Sequence, residues 1–167
     1  MKINELLLPE FEQEIDGTRR MLERLPDDKF DWRPHAKSMS LGDLATHIAN
    51  IPGWASAILA SDSFDTIGPD GQPIRSARAG SRQEVLQLFE RNVEEARRAI
   101  AATSDDEFAK KWALLAGGRQ IFEMARYAAL RRMVFNHLIH HRAQLGVYFR
   151  LNDVAVPAVY GPSADES

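Results

Sequence analysis

The stretch Asn136-His137-Leu138-Ile139-His140-His141-Arg142-Ala143-Gln144-Leu145 lies inside the longest uninterrupted helical pattern of the chain. His137 and His141 are four residues apart, so on an α-helix their side chains stand one above the other on one face. Leu130, Val134, His137, His141, Leu145 and Tyr148 recur at steps of three and four, the stripe of a helix side turned toward a core. The two imidazoles occupy the middle of that stripe. A buried imidazole loses its hydration and needs a hydrogen bond or a metal. Two rings stacked this way can take adjacent corners of one metal ion. The rest of the chain is then the frame that brings a third ligand to them.

Three more helices are read upstream. The first runs from about Leu7 to Leu25, with Leu7, Phe11, Ile15, Thr18, Leu22 and Leu25 inward. Pro9 is tolerable in a first turn, so the ordered helix is expected to begin there, and Pro26 ends it. In the connector that follows, Trp32 is expected to anchor the loop on the helices, and His35 to be exposed. The second helix opens at Ser40, with Asp43 three residues on in a capping-box-like start. Leu44, Ile48, Ile51, Ala55 and Ile58 form its stripe, and Pro52-Gly53 predicts a kink or break. Residues 61–80 hold Gly68, Pro69, Gly71, Pro73 and Gly80 and show no period, which suits a long crossover or a loop covering a site. The third helix starts at the capping box Ser81-Arg82-Gln83-Glu84, and Ser104 could begin one further turn. Trp112 to Leu115, Gly117-Gly118 and Ile121-Phe122 have the pattern of a small hairpin. The fourth helix runs from about Phe122 or Met124 to about Phe149. The expected fold is all-α: one domain over residues 1–167, a four-helix bundle with long crossover connections, and an extended tail from about residue 152.

The candidate metal site is His47, beside the stripe of the second helix, with His137 and His141. Three neutral imidazoles and an open position form a set that activates zinc-bound water near neutral pH. Nickel, iron or manganese suit histidine as well. His140 competes for the second place on the last helix, although it aligns with Met133, Asn136 and Ala143 on the flank. Asp43, one turn before His47, either caps its helix or orients an imidazole by accepting its second proton. Asn50 and Gln144 are polar liners or exposed, and Arg142 is expected to pair with an acid on another helix. Neither a His-Glu-x-x-His helix, a phosphate-cradling glycine loop nor a Gly-x-Ser-x-Gly elbow occurs.

With 167 residues, 44% hydrophobic and 27% charged, the chain has the composition of an ordinary globular domain with a sizeable core. A formal net charge of −3 argues against general nucleic-acid binding. No apolar run approaches the ~20 residues of a membrane helix. Glu5 is too early for a signal peptide, so a cytoplasmic location is expected. Without cysteine, any metal is held by nitrogen and oxygen.

The stretch Ser38-Met39-Ser40-Leu41-Gly42-Asp43-Leu44-Ala45-Thr46-His47-Ile48-Ala49, together with Asn136 to Leu145, resembles the DinB family, the DinB/YfiT-like metalloenzymes. The connector from Leu25-Pro26 through Trp32-Arg33-Pro34-His35 is similar to theirs, and the ending from Val156 to Glu166 is similar to one branch. The resemblance implies a four-helix bundle, often a homodimer, with a divalent metal held by His47, His137 and His141. It implies zinc or nickel first, and a small-molecule substrate met by a low-molecular-weight thiol, because relatives include thiol-cofactor transferases and a mycothiol-dependent maleylpyruvate isomerase. The expected function is therefore a metal-dependent transferase or hydrolase acting on a small electrophile. The rival is a non-catalytic helix-bundle dimer with a structural or regulatory metal, associated with stress responses.

Overall fold

The computed structural model describes residues 1–166. Helix α1 spans Ile3–Leu22, α2 Leu41–Asn50, α3 Trp54–Ala60, α4 Arg82–Ala102 and the short α5 Asp105–Ala109. Strands β2 (Lys111–Ala116) and β3 (Arg119–Ala125) follow, with β1 (Ser63–Asp65) lying earlier, between α3 and α4. The chain ends in α6 (Arg126–Leu130), a π turn (Arg131–Phe135) and α7 (Asn136–Leu151), one continuous helical path.

Four long helical stretches close a ring around the core: α1 packs on α4 and α7, and α2 packs on the same two. Phe11, Ile15, Leu22, Leu44, Ile48, Phe89, Leu145 and Phe149 are all within 1% of full burial. Ser40 caps α2 as its sequence predicts: its hydroxyl accepts from the Asp43 amide at 3.1 Å and donates to the Asp43 carboxylate at 2.5 Å. The connector supplies two more partners, since Leu41 N–H donates to Trp32 O and Gly42 N–H to Phe30 O. Trp32 is the anchor expected of it, edge-on to Tyr148 of α7 at 5.5 Å. Pro52 leaves α2 and α3 joined through a tight 3₁₀ turn, Ile51–Gly53, which is the predicted kink.

Helix α1 begins earlier than Pro9 suggests. Its first turn is held from within by Lys2 N–H donating to Glu5 Oε2 at 2.9 Å, and from outside by Ile3 N–H donating to Asp105 Oδ1 at 2.8 Å and Asn4 Nδ2 to Ala101 O at 2.9 Å. Those bonds offset the one that Pro9 removes from the helix interior.

The expectation of an all-α chain is overturned by a three-stranded sheet in the order β1-β2-β3. β2 and β3 form the antiparallel hairpin foreseen around Gly117-Gly118, whose φ angles of 60° and 77° demand residues without a Cβ penalty. β1 then adds in parallel, Phe64 opposite Leu114. It sits in the segment read as structureless, because a three-residue strand has no room for a period. Asp65 at its end locks the hairpin by accepting from Gly117 N at 2.8 Å and Gly118 N at 2.7 Å. β3 also takes the residues assigned to the start of the last helix, which begins at Arg126 instead.

Candidate metal centre

α2 carries His47 and α7 carries His137 and His141, and the packing of α2 on α7 brings the three rings together. One nitrogen from each lies within 4.8 Å of the others. His47 Nε2 is 3.3 Å from His137 Nε2, and His137 Nε2 is 2.8 Å from His141 Nε2. Nitrogens each about 2.0–2.1 Å from one ion lie about 3.3 Å apart at tetrahedral angles and about 2.9 Å apart at right angles. The arrangement therefore has the dimensions of a cation site.

The opposite edges of the rings are also held. His141 Nδ1 meets Gln144 Oε1 at 2.7 Å, which leaves the proton on Nδ1 and the lone pair on Nε2. The backbone carbonyl of Met133, one turn back in the π turn, favours the protonated His137 ring and partly opposes the effect of burial. Burial pushes His47 and His137 down to about 4, with repulsion from neighbouring imidazoles adding to it, and burial likewise lowers His141. All three rings are neutral at pH 7, with lone pairs available. Trp54 lies against two of them, its ring 5.5 Å from His47 and 5.1 Å from His137.

A cleft of about 510 Å³ opens over His47. Asp43, Thr46 and Asn50 of α2 line one side, and Ile74, Arg75 and Arg78 of the crossing segment line the other. The crossing segment thus contributes one wall of a cleft that reaches His47. Asp43 does not reach an imidazole. Its carboxylate is taken by Ser40 at 2.5 Å and by Arg78 at 3.4 Å. His140 is exposed on the flank, where its Nε2 faces Gln144 Nε2 at 3.1 Å, and His35 is exposed in the connector.

Arg142 points away from the histidines and pairs with Glu14 of α1 at 2.6 Å, the acid partner on another helix that the sequence calls for. Tyr160 and Asp165 fold back to this far side rather than onto the site: Tyr160 O–H donates to Glu14 Oε2 at 2.7 Å, and Asp165 pairs with Arg150 at 2.6 Å. Sequence reasoning left Gln144 undecided and passed over Trp54, which lies beyond the 3₁₀ turn at Pro52, where spacing from His47 does not fix a face.

No match is found among functionally curated proteins. Two solved structures are similar over nearly their whole length. A DinB-like protein of Bacillus cereus ATCC 10987 aligns with a TM-score of 0.68 at 20% identity, covering 95% of this chain and 98% of that one. A DinB-like protein of Bacillus subtilis, YjoA, aligns with a TM-score of 0.71 at 16% identity, covering 94% and 99%. At such identities the likeness establishes the fold alone. The model of the DinB superfamily matches residues 10–145, from α1 to the far side of the paired histidines. On that match, the chain belongs to the DinB superfamily.

Proposed function

We propose that His47, His137 and His141 hold one divalent cation, zinc or nickel before iron or manganese, and that the protein is a metal-dependent enzyme acting on a small electrophile. The observation that carries this is the convergence of three neutral Nε2 atoms at 3.3 and 2.8 Å while Gln144 fixes the outer edge of His141. Lone pairs aimed at one another repel, and a cation between them removes the repulsion. The chemistry such an ion supplies when bound is Lewis acidity, which lowers the pKa of a water or thiol beside it. This chain's residues hold the rings neutral, fix their orientation and open the cleft on the His47 side. Thiol transfer from a low-molecular-weight thiol is the reading favoured, with hydrolysis second. A purely structural metal would be closed by a fourth protein ligand. Among the described residues no fourth histidine or carboxylate joins the cluster, and Asp43 and His140 are engaged elsewhere, which supports the enzyme.

Elemental analysis of untagged protein tests the site. One metal per chain is expected, lost in His137→Ala. Equal content in both proteins would overturn the reading.

A further inference from the structure

A second, smaller cavity of about 140 Å³ lies beside the cleft. Ala57 and Ile58 of α3, Trp112 and Leu114 of β2, and Met133 of the π turn wall it with apolar surface. Trp54, Phe64 and Thr66 line both the chamber and the cleft, so the two adjoin. Trp54 is also the residue whose indole meets the His47 and His137 rings, which puts the chamber one side chain away from the ligand nitrogens. A dry apolar cavity of about 150 Å³ is the size that accepts a benzene ring. The chamber is therefore matched to one phenyl ring or an alkyl group of about five or six carbons.

The cleft has a second character. Its charged side chains are Asp43, Arg75 and Arg78. Arg78 is neutralised by Asp31 at 2.7 Å and Asp43 at 3.4 Å. Arg75 has no acidic partner among the described residues, and it stands on the segment that lines the cleft together with His47. Of the charged groups lining the cleft, Arg75 is thus the one left without a partner of opposite sign.

We infer that the site takes an amphipathic acid: a small molecule with one carboxylate, met by Arg75, and one phenyl-sized apolar group, seated in the chamber beside Trp54. This names the substrate class of the metal-dependent reading and rests on it for the reaction, while the binding contacts themselves are those of protein side chains. The aromatic wall supplies the apolar contact and the guanidinium supplies a charged, two-pronged hydrogen-bond donor.

Calorimetric titration with acetate, phenylacetate, 1-naphthylacetate and 2-phenylethanol tests it, on wild type, Arg75→Ala and Ala57→Phe, each metal-free and zinc-loaded. Phenylacetate is expected to bind at least about tenfold more tightly than acetate, by the apolar area it buries. Naphthylacetate should gain nothing over phenylacetate, because the second ring does not fit. Ala57→Phe fills the chamber and should abolish the preference for phenylacetate. Arg75→Ala should weaken phenylacetate and leave 2-phenylethanol unchanged. Equal binding of acetate and phenylacetate by wild type overturns the inference whether or not Ala57→Phe folds. Unchanged phenylacetate affinity in Arg75→Ala overturns the anchor, including the case where zinc alone binds the carboxylate. Zinc content of the same samples reads the metal site separately, so a failure there is distinguished from a failure here.

Discussion

Gln144 shows how much one side chain decides at this site. Its amide oxygen takes the Nδ1 proton of His141 at 2.7 Å, and its amide nitrogen faces His140 Nε2 at 3.1 Å. Without it His141 is free to turn or to carry its proton on Nε2, which removes a ligand lone pair. Gln144→Ala is therefore expected to lower metal affinity about 10- to 100-fold with the fold intact, whereas Gln144→Glu, which still accepts, should keep most of it. Competition against a metal-indicator dye, with circular dichroism as the control, measures both. The same rings set a pH dependence. Folded His47 and His137 are held down to about 4 against about 6.5 in the unfolded chain. Between those values the unfolded state binds more protons, so metal-free protein keeps this stability above about pH 6.5 and loses it as the pH falls toward about 4. Urea midpoints of chelator-treated protein at pH 7, 6 and 5 should fall. The fall should be shallower in His47→Gln/His137→Gln, and parallel slopes in the two proteins would count against it.

The elements divide by how local their signals are. Ser40, Ser81 and Ser104 each cap the helix that their sequence context announces, because a cap is settled within four residues. The hairpin was legible for the same reason, through Gly117-Gly118. β1 was not, since its existence depends on Leu114, fifty residues beyond Phe64. The π turn was equally silent: Arg131–Phe135 reads as helix, and its altered ladder sends Asn136 N–H back five residues, to Arg131 O. That His137 and His141 share a face was legible from their spacing and stripe, and that His47 lies near them from its place beside the second helix's stripe, while the side-chain partners of the rings depend on rotamer detail that a sequence does not carry. The hairpin turn offers a clean test of the local kind. A Cβ at Gly118 would meet nothing within 4 Å, so Gly118→Ala costs only the backbone preference at φ 77°. That is about 1–2 kcal/mol. Thermal unfolding should show the loss, and Gly118→Asn should show less of it.

At the scale of the whole molecule, α7 joins two centres through adjacent residues. His141 faces the other two imidazoles and Arg142 faces the opposite way, into α1 and the returning C-terminal segment. Arg142 is 4% exposed and Glu14 6% exposed, and the guanidinium also reaches Thr18 Oγ1 at 3.2 Å and Tyr160 at 2.5 Å. The tail is tied down further along, by Arg20 to Ala158 O at 2.7 Å and by Arg24 to Glu166. A buried pair of this kind gains in attraction roughly what it loses in hydration, so its removal and its breakage have different costs. Glu14→Leu leaves an unpaired guanidinium inside the protein and is expected to destabilise by about 3–5 kcal/mol. Glu14→Leu/Arg142→Met removes both charges, and most of that loss should return. Urea unfolding of wild type, both single variants and the double variant separates the outcomes. If the double variant is as unstable as Glu14→Leu, the pair contributes net stability that apolar packing does not replace. If it recovers, the pair's role is to fix how α1, α7 and the tail meet. Metal affinity of the recovered protein then reads whether that register reaches His141, one residue away along the chain.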